Sequence, residues 1–364
     1  MSGASPLRVI VVGDVLLPTA EIVGAVEGLG RHVRIVDALD WGPAREVEVD
    51  RMALRLEQEG PRAEPPPDEL RRHLPEADIL VVHYCPVSPE LLDDAPALRM
   101  LATCRAGTEN LAVDAAMARG ILVLHVIGRT TEAVSDFAVG LLISEVRNIA
   151  RGHRRLMAGV WDKSFSNSAF TPELEGRTVG IVGFGEVGSA VARKLSGFRV
   201  RCLAHDPFVP DEAIRRVGAE PAPLSTLLER SDFVTLHARP EPGAPPLLGR
   251  GELARMKPSA FLVNTARAAL VDVDALVDAL RDGTIAGAAL DVHDREPLGP
   301  DHPLLTLENV TITPHLASST KDCTKKSPRI LADDLRRLFE GGEPRYALNP
   351  DLLRAGWRPF AENP

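Results

Sequence analysis

The stretch VGIVGFGEVGSAVARKL, residues 179–195, decides the fold of this chain. A short apolar run leads through Gly183, Gly185 and Gly188 into a segment rich in alanine and valine. The spacing GxGxxG between a strand and a helix is the setting in which it binds a dinucleotide. Gly183 is expected to make the tight turn, Gly185 to let the backbone approach a pyrophosphate, and Gly188 to let helix and strand pack closely. The alternative is a glycine-rich turn without a ligand.

The next predicted strand ends at Asp206, eighteen residues after Gly188. A carboxylate at that position accepts hydrogen bonds from the adenosine ribose and repels a 2′-phosphate, so NAD is expected as the cofactor rather than NADP. The alternative is that Asp206 only begins a turn with Pro207.

Strand-like runs alternate with helical segments on both sides of this unit, which is typical of a parallel sheet covered by helices. The earlier runs are residues 7–12, 32–36, 79–83, 100–103 and 121–124. The later runs are residues 178–182, 200–204, 233–237, 261–264, 288–292 and 310–313. The sequence therefore predicts an α/β protein with two doubly wound parallel sheets.

The composition limits the class of protein. With 364 residues, 45% of them hydrophobic, the chain is long enough for two domains. Its best apolar stretch, residues 137–143, is flanked by Asp136 and Glu145 and is too short to span a membrane. The first residues lack the basic segment of a secretory signal, so a cytoplasmic location is expected.

The charge and the cysteines exclude further classes. A net charge of -9 argues against a nucleic-acid partner, since phosphate binding needs a concentrated basic face. The 4 cysteines are widely spaced and form no zinc-type cluster, so we expect free thiols and no bound metal.

Three strings after the phosphate loop contain residue types that carry chemistry. They are VNTARAALVD at residues 263–272, ALDVHDREPL at 289–298 and TPHLASST at 313–320. Each follows a predicted strand, so each should emerge at the carboxyl edge of the sheet, where nucleotide folds bind ligands. Taken singly, Arg267, Glu296 and His315 within them are more readily explained by structural roles.

Together with the phosphate loop and Asp206, the three strings resemble the D-isomer-specific 2-hydroxyacid dehydrogenase family, which includes phosphoglycerate, glyoxylate and D-lactate dehydrogenases. The resemblance covers residues 98–349. It implies hydride transfer between NAD(H) and a small 2-hydroxy or 2-keto acid. It also implies a Rossmann cofactor domain, residues 128–315, inserted into a flavodoxin-like substrate domain made of residues 1–127 and 316–364.

The resemblance further implies roles for single residues. Arg267 matches the arginine that binds the substrate carboxylate and keto oxygen, His315 the general acid/base, and Glu296 its carboxylate partner. These types suit the reaction, because a developing alkoxide needs a proton and a planar guanidinium fits a carboxylate beside a carbonyl. Asp291 matches the residue that holds the nicotinamide carboxamide. The other matching cofactor positions are Glu186, Val187, His237, Thr265 and Ala266.

The loop CRAGTEN, residues 104–110, departs from the GxDNID-like string that is common in the family, with Glu109 in place of an aspartate. Ala106 and Gly107 can still offer backbone amides to a substrate carboxylate. Arg105 is a candidate for binding an anionic or hydroxyl-rich end of the substrate. The alternative is that Arg105 pairs with Glu109 or with solvent.

Two helical segments and one loop complete the predictions. Residues 130–159 predict one long helix, and the resemblance implies that it forms the two-fold interface of a homodimer. Residues 330–340 predict an amphipathic helix, with Pro328 expected to break any helix that continues from Ser319. Residues 61–75, with five prolines, predict a surface loop.

Two other functions stay open at this point. A catalytically weak, NAD-responsive binding protein, similar to the corepressors on this scaffold, is the main alternative to a dehydrogenase. A nucleotide-sugar or amino-acid dehydrogenase also accounts for GxGxxG and Asp206, but not for the trio of Arg267, Glu296 and His315. Formate oxidation is disfavoured, since that subgroup has glutamine at the position of Glu296.

Overall fold

The structure, a computed structural model, describes residues 5–241 and 243–360. The chain divides into two compact units. The first unit combines the residues up to Arg129 with those from Thr320 onward, and the second unit is Thr130–Ser319. Residues 1–4 and 361–364, which the sequence assigned to the substrate domain, lie outside the described residues. Within the described part of the chain, no helix has the length and apolar character needed to cross a membrane.

The elements alternate along the chain. The strands are β1 Leu7–Gly13, β2 Val33–Asp40, β3 Ile79–Val82, β4 Met100–Thr103, β5 Leu122–Leu124, β6 Thr178–Val182, β7 Arg201–His205, β8 Glu220–Pro221, β9 Phe233–Leu236, β10 Phe261–Asn264, β11 Gly287–Leu290 and β12 Val310–Ile312. The helices are α1 Thr19–Glu27, α2 Glu46–Glu59, α3 Pro89–Asp93, α4 Val113–Ala118, α5 Thr131–Val146, α6 Ile149–Met157, α7 Glu186–Leu195, α8 Asp211–Arg216, α9 Leu224–Arg230, α10 Arg250–Leu253, α11 Val273–Arg281, α12 Lys321–Phe339 and α13 Asp351–Arg354.

The first unit is built on a parallel sheet in the order β2-β1-β3-β4-β5. Every residue of β3 and β4 is buried, as expected for apolar parallel strands covered on both faces. The C-terminal segment completes this unit, because α12 packs against α1 and Asn349 joins the sheet margin. The Asn349 side chain accepts from the Val123 amide at 3.0 Å and donates to the Ile121 carbonyl at 2.9 Å.

The second unit is built on a parallel sheet in the order β12-β11-β10-β9-β6-β7-β8. The strand order reverses between β6 and β9, and this switch point is where open parallel sheets bind ligands. Two parallel α/β sheets confirm the predicted fold class. The two-residue edge strand β8 was not predicted, since Pro221 and the shortness of the run give no strand pattern.

The prediction of one continuous helix over residues 130–159 is wrong. Asn148 separates α5 from α6 and has a left-handed backbone, with φ of 56°. Buried Arg151 fixes this break by donating to the Glu145 carbonyl at 3.1 Å and to the Asn148 side chain at 2.6 Å. It also donates to the Glu308 carbonyl at 2.5 Å and forms an ion pair with the Glu145 carboxylate. The apolar pattern of a helix contains no signal for such a network.

The expectation that Pro328 breaks the C-terminal helix is also wrong, because α12 continues through it. Pro328 is buried, and the same helix buries Leu331 and Leu335 in the core of the first unit. The helix start is fixed by Thr320, whose side chain accepts from the Cys323 amide at 3.1 Å. Burial of this face outweighs the one backbone hydrogen bond that proline removes.

Residues 61–75 are only partly the predicted surface loop. They contain the short 3₁₀ turn Asp68–Arg72, and a second one, Leu74–Glu76, begins near their end. Leu70 and Leu74 are fully buried in the core of the first unit. Because the segment begins with several prolines, its composition predicts a loop and gives no indication that these two leucines are buried.

Candidate active site

The three strings identified in the sequence continue from the ends of three neighbouring strands of the second unit. Arg267 follows β10, Asp291 follows β11 and His315 follows β12, and these strands are adjacent in the sheet. Since all the pairings are parallel, the carboxyl ends of these strands lie at one edge. Gly183, after β6, is at the same edge.

His315 and Glu296 form a direct pair at this edge. The Nδ1 atom of His315 lies 2.8 Å from Oε2 of Glu296. The side chains are 45% and 39% exposed, so both are within reach of a small molecule. His315 has a φ of 53°, a left-handed conformation that a non-glycine residue adopts at a cost of about 1 kcal/mol or more. Strained backbone of this kind persists only where neighbouring contacts hold it.

Glu296 is held in its ionised form. Burial raises the pKa of this carboxyl, but hydrogen bonds from His315 and from the backbone N–H of His293 bring it below its ordinary value. The His293 amide donates to Oε1 at 3.0 Å, so each carboxylate oxygen has its own donor. A negative charge therefore faces the His315 imidazole at neutral pH.

Asp291 anchors the loop that carries His315. This carboxylate is fully buried and accepts from the Thr313 hydroxyl at 2.5 Å. It also accepts from the backbone amides of Leu316 and Ala317, both at 2.8 Å. The residue that the resemblance assigns to the nicotinamide carboxamide thus also holds the backbone next to His315.

Arg267 lies on a loop that Asn264 organises. The Asn264 side chain accepts from the Ala266 amide at 3.0 Å and donates to the Arg267 carbonyl at 2.9 Å. The Arg267 side chain is exposed, and one of its terminal nitrogens donates to the Ala266 carbonyl at 2.7 Å. Thr265 beside it is buried, and its hydroxyl has no partner among the described residues.

The phosphate loop shows why glycine is needed at two positions. Gly183 has a φ of 88°, and a Cβ atom there would lie 2.4 Å from the Ala238 amide nitrogen. A Cβ atom on Gly188 would lie 2.1 Å from the Gly183 carbonyl oxygen, so only glycine lets α7 start this close to β6. At Gly185 a Cβ atom would meet open space within 4 Å.

Asp206 connects β7 to the phosphate loop. Its Oδ2 accepts from the Phe184 amide at 2.7 Å, and its Oδ1 accepts from the amides of Phe208 and Val209 at 2.9 and 3.2 Å. It also lines an open pocket of about 320 Å³ together with His205. The carboxylate therefore shapes the loop, and the residue borders an open pocket.

His237 follows β9 at the switch point. Burial lowers its pKa to about 3, so the imidazole is neutral at physiological pH. Its Nε2 lies 2.9 Å from the Thr235 hydroxyl, while Nδ1 is buried without a partner in the described part of the chain. A buried polar atom of this kind is normally satisfied by a ligand or water.

Arg105, Ala106 and Gly107 lie in the first unit, after β4. The Arg105 residue is only 4% exposed, and its guanidinium stacks on Tyr84 at 4.2 Å from the ring centre. It donates to Asn110 at 3.2 Å and lies 3.5 Å from the Glu109 carboxylate. It also lies 3.4 Å from Glu57. This arrangement favours the structural interpretation of Arg105.

Three residues of the second-unit site were missed by the sequence reasoning. Asn264 organises the Arg267 loop, Thr313 donates to Asp291, and His293 contacts both Glu296 and the Thr313 carbonyl. Asn264 and Thr313 stand inside the quoted strings, one next to Thr265 and the other two positions before His315. His293 also stands inside a quoted string, two positions after Asp291 and three before Glu296, but the resemblance assigned no role to it.

The chain is similar to known proteins of one family. A family model described as D-isomer specific 2-hydroxyacid dehydrogenase, NAD binding domain, matches residues 139–317. Glyoxylate reductase from Thermofilum pendens is 37% identical over 295 residues, which cover 80% of this chain and 86% of that protein.

Two further similarities cover the chain differently. D-3-phosphoglycerate dehydrogenase from Archaeoglobus fulgidus is 35% identical over 284 residues, which are 78% of this chain but 53% of that protein. The crystal structure of the TT0316 protein from Thermus thermophilus superposes with a TM-score of 0.66 and 31% identity, covering 94% of this chain and 100% of that one.

Proposed function

The chain belongs to the D-isomer-specific 2-hydroxyacid dehydrogenase family and is an NAD-linked oxidoreductase of hydroxy and keto acids, and on that premise we propose that it reduces a small 2-keto acid through His315, Glu296 and Arg267. The pair of His315 and Glu296 at 2.8 Å carries this proposal. It stands exposed at the sheet edge where the fold binds its ligands.

His315 is proposed as the general acid/base. Because a carboxylate only accepts, Nδ1 donates its proton to Glu296, which leaves Nε2 to face the substrate. In keto-acid reduction, protonated His315 gives the Nε2 proton to the developing alkoxide. In hydroxy-acid oxidation, neutral His315 takes the hydroxyl proton, and the Glu296 charge stabilises the imidazolium that forms.

Arg267 is proposed to bind the substrate carboxylate and keto oxygen. Its side chain is exposed at the same sheet edge, and its backbone is fixed by Asn264. Because the guanidinium forms two parallel hydrogen bonds, it fits a carboxylate next to a carbonyl and fixes the orientation of the keto group.

The second unit has the features that NAD(H), the cofactor of the family, requires. The open space at Gly185 and the start of α7, at Glu186 and Val187, suit a pyrophosphate. Asp206 and Asp291 each accept three hydrogen bonds, while an ionised carboxylate accepts about four, so each has capacity for a cofactor group.

Two further cofactor-side residues present buried polar atoms. The Thr265 hydroxyl and the His237 Nδ1 have no partner in the part of the chain described, which fits positions that a bound nicotinamide covers. Ala266, next to Thr265, is the remaining residue that we assign to this side. NAD(H) supplies the hydride in reduction and accepts it in oxidation.

The proposal is tested by following NADH absorbance with a panel of 2-keto acids, namely glyoxylate, hydroxypyruvate, pyruvate and branched-chain keto acids. We expect turnover with at least one of them and, where the product is chiral, formation of the D enantiomer by chiral chromatography. Absence of turnover across the panel, with NADH binding intact by fluorescence titration, would contradict the dehydrogenase and favour an NAD-responsive binding protein.

We assign the cofactor domain to residues 128–315 and the substrate domain to residues 1–127 and 316–364. The compact units change over at Arg129/Thr130 and Ser319/Thr320, a few residues from these bounds. The second unit holds the phosphate loop and the catalytic strings, which supports its role as the cofactor domain. In limited proteolysis, addition of NADH should slow cleavage within this unit only.

The substrate-binding loop of the first unit is assigned to Ala106 and Gly107, whose backbone amides suit a carboxylate. We assign Arg105 a structural role in this loop, since its guanidinium stacks on Tyr84 and donates to Asn110. If Arg105 instead binds a distal group of the substrate, Arg105→Ala should raise KM for long substrates and spare glyoxylate. Equal KM changes for all substrates would indicate the structural role.

We propose that the enzyme is a homodimer. Large apolar side chains concentrate in α6 and the segment after it, where Trp161 is 81% and Met157 75% exposed. Ile149, Leu156 and Val160 are also exposed there, and such a concentration is typical of a protein interface. Light scattering at micromolar concentration should give twice the mass of one chain for the wild type and the mass of one chain for Trp161→Glu. A wild-type monomer would overturn the proposal.

A further inference from the structure

His293 contacts both halves of the acid/base arrangement. Its backbone N–H donates to Oε1 of Glu296 at 3.0 Å, while its ring Nε2 lies 2.9 Å from the Thr313 carbonyl oxygen. Glu296 in turn holds His315 through its other oxygen. One residue therefore connects the segment that carries the carboxylate to the loop that carries the histidine.

The chemistry of this contact fixes the ring. A carbonyl oxygen only accepts, so the proton of the imidazole is on Nε2 and is donated to Thr313. The Nδ1 atom is buried and has no partner within the described residues. The polar contact of the ring is therefore directed at the His315 loop and not at another part of the unit.

The His315 loop needs such a contact because its backbone is strained. His315 has a φ of 53°, and left-handed backbone at a non-glycine residue must be held by its surroundings. Asp291 holds the loop on both sides of His315, through the Thr313 hydroxyl and through the amides of Leu316 and Ala317. The His293 ring adds a contact at the Thr313 carbonyl, two residues before His315.

We propose that His293 is a positioning residue of the reaction, which holds Glu296 and the His315 loop in register by its backbone amide and its ring Nε2. This inference rests on the proposed role of His315 and Glu296. It assigns His293 no contact with substrate. A displacement of about 1 Å at a catalytic group lowers turnover by up to about a hundredfold, so loss of the ring contact should be visible in kcat.

Two amide substitutions separate the two ring nitrogens. Glutamine places its side-chain N–H near the position of Nε2, whereas asparagine reaches only the position of Nδ1. We expect His293→Gln to retain kcat within about threefold and His293→Asn to lower it by about tenfold or more, with KM for NADH unchanged in both. Equal kcat values for the two variants would overturn the proposal.

A matched control uses another histidine of the same segment. His302 is buried, and its ring lies 3.1 Å from the Asp294 carboxylate and accepts from the Leu304 amide, away from Glu296 and Thr313. His302→Gln should lower the thermal midpoint without a specific loss of kcat. If His293→Asn and His302→Gln each lose kcat in proportion to their loss of stability, the positioning role of His293 is wrong.

A spectroscopic measurement tests the inference without turnover. The Nδ1–H of a histidine bonded to a carboxylate gives a strongly downfield proton resonance. The resonance of His315, which is distinguished from that of the buried His83–Asp14 pair by its loss in His315→Gln, should be present in the wild-type enzyme and in His293→Gln. It should be lost or moved upfield in His293→Asn. A wild-type protein that keeps this resonance but reduces no keto acid contradicts the proposed function only, whereas an unchanged resonance in His293→Asn contradicts the role of His293.

Discussion

Each of the two units contains a histidine paired with a carboxylate at the same distance of 2.8 Å, but in opposite surroundings. In the first unit Nδ1 of His83 bonds to Asp14, with side chains 1% and 0% exposed. In the second unit Nδ1 of His315 bonds to Glu296, with side chains about half exposed. Both histidines follow the carboxyl end of a parallel strand, β3 or β12.

The surroundings decide what each pair can do. Burial lowers the pKa of His83, although Asp14 opposes this, so its ring is neutral and inaccessible. Its ring packs edge-on against Tyr84, and its carbonyl accepts from Asn110, as in a structural polar core. An acid/base residue needs such a carboxylate together with access to solvent, and of the two pairs that of His315 and Glu296 has both.

The largest expected effect distinguishes the two histidines by activity. His315→Gln should lower kcat by about a hundredfold or more, the usual scale for a lost general acid. His83→Gln should leave kcat within a few-fold and instead lower the thermal midpoint, since a buried hydrogen bond to Asp14 is weakened. Steady-state reduction assays and thermal unfolding of both variants provide the measurement. A mild kcat effect of His315→Gln would remove it from the chemistry.

A smaller effect is expected from the carboxylate of the exposed pair. Glu296→Gln should lower kcat by about tenfold and move the reduction profile to lower pH, because the negative charge that faces protonated His315 is removed. The oxidation profile should move in the same direction. Superimposable profiles for wild type and Glu296→Gln would show that the pair does not act in the reaction.

Asp206 offers a milder test in the same unit. Asp206→Ala should weaken NADH binding by roughly tenfold and narrow its advantage over NADPH, since a ribose acceptor and a repulsive charge are removed. Asp206→Asn is the matched control, because it keeps an acceptor for the loop amides but loses the charge. Unchanged NADH affinity of Asp206→Ala in a fluorescence titration would exclude Asp206 from the cofactor site.

The smallest effect concerns stability in the first unit. An unfolded histidine takes up a proton near pH 6.5, whereas the pKa of folded His83 is lower. Below about pH 6.5 the unfolded chain binds a proton that the folded chain does not bind. The free energy of unfolding therefore falls as the pH is lowered, by at most about 1.4 kcal/mol per pH unit. Wild type should therefore lose more stability than His83→Gln between about pH 7 and about pH 5.5. Parallel losses in denaturant titrations would argue against this linkage.

The parts that the sequence predicted well depend on local patterns. The apolar runs gave β1, β3, β4, β6 and β10 to within a residue, and the glycine spacing placed the phosphate loop at the edge where it lies. His315 and Glu296 were assigned from the TPH and EP strings, and the structure joins them by a hydrogen bond. Buried strands and tight turns can be predicted in this way because each directly restricts which residue types are tolerated.

The parts that were missed depend on contacts between distant residues. The break at Asn148 is held by Arg151 and the Glu308 carbonyl, which are far apart in sequence. Pro328 continues a helix because the face around it is buried in the core. His293 acquires its role from a contact with Thr313, twenty positions away. No local pattern encodes these pairings, so composition and periodicity cannot reveal them.

The discontinuous first unit has a consequence for folding during synthesis. Its core joins Val9 and Val11 of β1 to Leu335 of α12 and to Trp357, which the ribosome makes only after the whole second unit. The contiguous second unit can close its core while the first still exposes the sheet face that α12 later covers. Until α12 has been made, the nascent chain therefore presents a bare apolar surface, and a premature stop after Ser319 would release a second unit tethered to an aggregation-prone first one.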